Sequence, residues 1–208
     1  MRATIPEFFC DRNFKTGTMQ SVQDVVKFCI LPNRTAKGWA VLMGKLDNYD
    51  ASQLHLDSAI KLLFMHLDSF LLAHPLVPGI IFMFDMQGTS LSHLTRINLS
   101  LVRKYLTYVQ EAMPLRLKEI RIINVNNVIS HIMNLIKPFI HKNHLQYVSI
   151  TSKNAFCSEI SELAINQLAD CSNMFDDEER LLSQLNKNFK KSKTNVTIEG
   201  SFKKLDLD

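Results

Sequence analysis

The sequence predicts an α/β fold on a mostly parallel sheet, and three observations lead there. Residues 79–84 form a strand-length apolar run, bounded by Pro78 and by Asp85-Met86-Gln87-Gly88. Such continuous apolarity marks a strand buried on both faces. Beyond it, Ser90 or Ser92 caps a helix expected to run to Met113, with Ile97, Leu101, Tyr105, Tyr108 and Val109 at helical spacing and Pro114 at its end. Residues 120–125 are a second β-branched run. Strand, crossover helix and strand make a right-handed βαβ unit, and such units build parallel sheets.

The remaining elements follow from pattern. Residues 5–28 read as largely helical, with Val22, Val25, Val26 and Phe28 toward one side of a helix over 18–29 that Leu31-Pro32-Asn33 stops. Residues 39–46 form a short strand, and Asp47-Asn48-Tyr49-Asp50 a polar turn. Residues 54–73 form a long helix whose apolar face holds Ala59, Leu62, Leu63, Leu67, Phe70 and Leu71. After the turn residues Asn126 and Asn127 comes a segment, 128–142, that is apolar around most of its circumference, and Pro138 is expected to bend or break it. Its residues Ile129, Ile132, Met133, Ile136 and Phe139 wrap past a single helical face. A helix this apolar is buried all round or meets something apolar that is not protein. Residues 147–151 form a further strand, 155–169 an amphipathic helix, and 176–208 a last helix with a polar tail.

Composition narrows the function classes. The chain has 208 residues, 46% apolar and 21% charged, enough for one folded domain with a sizeable core. Arg2, Glu7, Asp11 and Arg12 interrupt the apolar stretch a signal peptide needs. Cys10, Cys29, Cys157 and Cys171 are far apart and form no CxxC pair, which reads as reduced thiols in a cytoplasmic protein and not as a zinc site. The net charge of +4 permits attraction to an anionic surface. The aromatic residues are mostly Phe within apolar runs and are not interleaved with Lys and Arg, so a nucleic-acid partner is not expected.

No phosphate-cradling glycine loop, nucleophile elbow or HExxH zinc motif is present. Ser92 and His93 beside Asp85 have the residue types of a catalytic triad, but capping and core hydrogen bonding suit them better. His141 and His144 can share a helical face, as metal ligands do, though surface histidines near a helix end are commonly bystanders. His66 falls on the apolar face of the long helix and reads first as a core histidine, second as a contact for the polar end of a ligand. No catalytic residue, metal or cofactor is expected.

The run Ile81-Phe82-Met83-Phe84-Asp85-Met86-Gln87-Gly88 with Ser90, Ser92 and His93 resembles the CRAL-TRIO lipid-binding family, in its branch of tocopherol transfer and retinaldehyde-binding proteins. Met113-Pro114-Leu115-Arg116-Leu117-Lys118, Ile123-Asn124-Val125 and Ile136-Lys137-Pro138-Phe139 recur there at matching spacing, as do the flanks Pro6-Glu7-Phe8-Phe9 and Glu199-Gly200-Ser201-Phe202. The resemblance implies a mostly parallel sheet flooring an apolar lipid cavity, covered by helices that include a mobile gate helix at 128–140. It implies a cavity wall of Ile80, Phe82, Phe84, Ile97, Tyr105, Tyr108, Val109, Leu115, Leu117, Ile129 and Ile132. It also implies a phosphoinositide- or membrane-binding set of Arg116, Lys118, Arg121 and Lys142, although Asn143 and Tyr147 stand where the family has basic residues. The usual N-terminal helical bundle is expected to be absent, and the chain departs from the family in reading Leu168-Ala169-Asp170-Cys171-Ser172-Asn173-Met174 at the C-terminal turn. The whole of 1–208 is then a single lipid-binding domain.

The expected function is binding and intermembrane transfer of a tocopherol-, retinoid- or phospholipid-like ligand by a monomeric, non-enzymatic protein, transiently peripheral at membranes. The alternative is a degenerate module that acts in protein interaction or regulation without transfer.

Overall fold

The computed structural model describes residues 1–150, and the helices expected at 155–169 and from 176 lie outside them. Five strands, β1 (Val26–Ile30), β2 (Ala40–Leu46), β3 (Ile80–Asp85), β4 (Leu117–Ile123) and β5 (Val148–Ile150), stand side by side in chain order. β1 runs antiparallel to β2, and every later pair is parallel. The helices are α1 (Pro6–Phe9), α2 (Gly17–Val25), α3 (Leu56–Ala73), α4 (Leu91–Leu94), α5 (Leu99–Glu111) and α6 (Val128–Ile136). α3 joins β2 to β3, α4 and α5 join β3 to β4, and α6 lies between β4 and β5. Crossovers of one hand that always step to the next neighbour place their helices on one face, here called the inner face.

Register sets which side chains reach that face. Phe28, Gly44 and Phe84 are in line across β1, β2 and β3, as are Ile30, Leu42 and Phe82. Along β4 a bulge interrupts the alternation: Ile80 pairs with Leu117 but Ile81 with Glu119. The extra residue lets Leu117 and Ile120, three apart, both pack against the inner core. β4 also starts at Leu117, earlier than the β-branched run at Ile120 indicates.

Two helix boundaries differ from expectation. The helix expected over 18–29 stops at Val25, and Val26–Ile30 is β1, buried along its whole length. Val22, Val25 and Val26 suit a helix face, but Val26, Phe28 and Ile30 suit a strand face equally, and pairing with β2 decides between them. The single helix expected from Ser90 or Ser92 to Met113 is split into α4 and α5. Ser90 caps α4 in a box with His93, and Asn98 restarts the helix by accepting from the amides of Ser100 (2.9 Å) and Leu101 (3.4 Å).

α1 and α2 pack against α3, and α3 against β1 and α5. Phe8, Phe9, Phe64, Tyr105 and Tyr108 form an aromatic cluster, its neighbouring centroids 4.9–6.4 Å apart. Each such ring contributes about 1.5–3 kcal/mol by leaving water. At its edge Asp68 of α3 meets both Arg2 (2.6 Å) and Arg12 (2.8 Å). Burial works against the Arg2 charge, but the hydrogen bond and attraction to Asp68 outweigh it and raise that guanidinium above its ordinary pKa.

Candidate ligand-binding site

The inner face has two unlike halves. Over β1 to β3 it is packed solid: Val26, Phe28, Ile30, Ala40, Leu42, Ile80 and Phe82 are all buried in one core cluster with α1, α2 and α3. Toward β4, β5 and α6 the inner-face residues Phe84, Leu117, Ile120 and Val148 are only half-buried. The residues read from sequence as cavity wall divide along this line. Ile80 and Phe82 lie in the solid half at 0% exposure. Tyr108 joins the aromatic cluster, where its hydroxyl accepts a hydrogen bond from Arg2 Nε at 2.9 Å. Val109 and Leu115 are buried in the core cluster. Phe84, Ile97, Tyr105, Leu117, Ile129 and Ile132 are half-buried, all but Ile97 on β3, α5, β4 and α6.

α6 is positioned by asparagines. Asn124, with φ of 51°, donates from Nδ2 to Asp85 Oδ1 (2.9 Å), tying the end of β4 to the end of β3. Asn126 donates to the Thr89 carbonyl (2.7 Å) and accepts from the Val128 amide (3.0 Å), so the helix starts beside the β3–α4 loop. Ser130, His131 and Asn134 hold the exposed face of α6. Ile129, Ile132, Met133, Leu135 and Ile136 are each half-buried, so the excess apolar circumference is shared out and not displayed on one exposed stripe. The helix ends at Ile136, and a 3-10 turn, Lys137–Phe139, carries Pro138 at its start, as proline geometry requires.

Gln110 of α5 holds this end, and sequence reading did not find it. Its Nε2 donates to the Phe139 carbonyl (3.1 Å) and its Oε1 accepts from the His141 amide (2.7 Å). His144 Nδ1 lies 3.1 Å from the same oxygen. A glutamine 29 residues from the carbonyl it binds leaves no sequence pattern. The His141 and His144 rings are 5.8 Å apart, with His141 beside Glu111. Among the described residues no three His, Cys, Asp or Glu are arranged to hold a metal ion.

The triad residue types are not assembled. His93 Nδ1 is 2.9 Å from Ser90 Oγ and accepts from the Ser90 amide, while Asp85 accepts from Gln87 N–H and Asn124. Ser92 instead lines a polar cleft of about 410 Å³ with Tyr49, Asp50, Ala51, Ser52, Ser90, Thr95 and Arg96. His66 is a core residue, its ring 6.2 Å from Phe28, and burial pushes its pKa down to about 3.

Residues 25–169 match the family described as CRAL/TRIO domain. The chain belongs to this family. The CRAL/TRIO chain is 25% identical to the mouse "Alpha-tocopherol transfer protein-like" over 140 residues, which is 67% of this chain and 40% of that protein. The human protein of the same name is 24% identical over the same extent, so the chain spans about 40% of the length of these curated relatives. The solved "Crystal structure of Sfh5" aligns with 73% of this chain and 56% of that one at 13% identity, with a TM-score of 0.48.

In this CRAL/TRIO chain the basic residues read as a membrane-binding set are not one cluster of free charges. Arg116 is exposed just before β4. Lys118 lies with its ammonium 5.6 Å from the centre of the Trp39 ring, and Lys37 is 4.8 Å from the same ring, both in cation–π range. Arg121 is engaged by Glu119 through two hydrogen bonds (2.8 and 3.0 Å), which hold the Glu119 carboxyl below its usual range. Lys142 is exposed in the turn after Pro138. No helix of the described residues is long and apolar enough to cross a membrane.

Proposed function

We propose that this chain binds a small hydrophobic ligand and moves it between membranes. The observation that carries the reading is the contrast across the inner face: a solid core over β1 to β3, beside half-buried apolar residues on β4, β5, α5 and α6. Folded chains close apolar surface to near-crystalline density unless something else occupies it. The name of the curated relatives supports a tocopherol-like ligand. In this reading the ligand lies among Phe84, Tyr105, Leu117, Ile129 and Ile132, α6 is the gate, and Arg116 and Lys118 meet the anionic lipid headgroups.

The test is transfer of α-tocopherol between vesicles, measured together with circular dichroism on the same sample. Replacing Ile132 and Ile136 by Asp should slow transfer while the helical signal persists, because charge is costly in an apolar interface. A folded double variant that transfers at the wild-type rate would defeat the gate. A wild type that binds neither tocopherol, retinoid nor phospholipid would favour an interaction module.

A further inference from the structure

Three loops meet where the parallel strands begin. Ala40, Ile80 and Leu117 open β2, β3 and β4 in register, so the segments that lead into them, 31–39, 74–79 and 112–116, share one edge of the sheet. Backbone bonds tie the loops together: the Ala40 amide donates to the Gly79 carbonyl and the Ile80 amide to the Arg116 carbonyl, both at 3.0 Å. Gly79 leaves room that a side chain would deny. A Cβ there would stand 2.6 Å from the Lys118 side chain, which crosses the entrance of β3 toward Trp39.

The edge combines apolar tips with cations. Leu76, in the loop between Pro75 and Pro78, is 92% exposed, and Leu72 in the last turn of α3 is 63% exposed. The loop is pinned and not frayed, because the neighbouring Val77 is buried in the core cluster. Trp39 is half-buried beside it, between the ammonium groups of Lys37 and Lys118, and Arg34 and Arg116 are exposed nearby in chain. One exposed leucine is ordinary, but two on an edge with an indole and several cations match a bilayer interface. Leucine gains by entering the acyl boundary, indole favours the headgroup level, and each cation near an anionic surface strengthens binding about fivefold. Resting on the carrier reading above, we propose that this edge is the membrane-docking face: Leu72 and Leu76 enter the outer acyl region of an anionic bilayer, and Trp39 lies at its headgroup level. α5 ends toward the same edge, and its Gln110 holds the Phe139 carbonyl just beyond α6, so docking here brings the end of the gate to the bilayer.

Trp39 is the only tryptophan of the chain, so its fluorescence reports this edge alone. The experiment titrates the full chain with phosphatidylcholine vesicles that contain phosphatidylserine. Wild-type emission should shift to the blue and be quenched by lipids brominated in the upper acyl chain. Leu76→Asp alters a solvated side chain, so circular dichroism should be unchanged, while vesicle binding weakens at least about tenfold. Leu91→Asp is the control: Leu91 is 58% exposed at the start of α4, past the end of β3 and so on the opposite edge. It should bind as the wild type does. A folded Leu76→Asp that binds like the wild type, equal losses in the two variants, or a bound wild type whose Trp39 escapes quenching would each overturn the docking edge and leave the carrier reading standing. A wild type that leaves vesicles unbound would overturn the bilayer as the occupant of this edge, in favour of a protein partner. Tocopherol transfer by that same sample would keep the carrier reading alone, and its absence would end both.

Discussion

Gln110 bridges Ile140: its side-chain nitrogen donates to the Phe139 carbonyl on one side, and its side-chain oxygen accepts from the His141 amide on the other. One side chain of α5 thus fixes the segment that follows Pro138, where the backbone cannot continue α6. Replacing Gln110 by Leu keeps the side chain's approximate size and removes both bonds. Each such bond contributes about 0.5–1.5 kcal/mol net. Hydrogen exchange at the His141 amide should quicken by roughly threefold to tenfold while the amides of α5 keep their protection. Unchanged exchange at His141 would show that the bond does not control opening there.

His66 makes stability depend on acid. Its pKa is about 3 in the folded chain against 6.5 for the free side chain, because burial disfavours the charged ring. Between those values the unfolded chain holds a proton that the folded chain does not, so stability falls as pH drops below 6.5 and the loss stops near pH 3. From pH 6.5 to pH 5 the loss is about 2 kcal/mol. Urea unfolding of wild type and His66→Leu at pH 7 and pH 5 isolates it, as the other titrating groups cancel. Equal pH dependence in the two proteins would exclude His66 as the source.

Asp68 sits between Arg2 and Arg12, and the Arg12 side chain is only 3% exposed. Asp68→Asn keeps the shape and removes the charge. A buried cation that loses a carboxylate partner is costly, and Arg12 keeps other contacts that include the Phe64 carbonyl and the Phe9 ring. Destabilisation of about 3 kcal/mol is expected in urea unfolding. A change under 1 kcal/mol would mean the pair is screened like a surface bridge.

Arg116 and Lys118 give the membrane reading its own test. Each basic residue near an anionic bilayer contributes about 1 kcal/mol, and salt screens it. Reversing both charges should weaken binding to phosphatidylserine vesicles at low salt, with the difference shrinking as salt rises. Reversing Arg121 should matter less, because Glu119 already engages it. Equal binding of wild type and the double reversal would remove these residues from the membrane surface.

Much of the fold is a local property and was therefore legible. The apolar run ending at Phe84, the helical spacing of α3 and α5, and the proline that stops α6 are fixed by neighbours within a few residues, as periodicity is. The βαβ order then restricted the strands it joins to parallel pairing. Val26–Ile30 was not legible, because Val26 and Phe28 suit a helix face with Val22 and Val25 and a strand face with Ile30 alike until β2 pairs with them. The bulge that brings Leu117 and Ile120 to one face arises only from register with β3. The same holds for the candidate site. Sequence supplied Phe82, Phe84, Tyr105 and Tyr108 as equivalent apolar-facing residues. Tertiary packing decided that Phe82 and Tyr108 fill the core, while Phe84 and Tyr105 keep open surface. Which helix covers which strand is settled by contacts between residues far apart in the chain, and no short-range pattern records them.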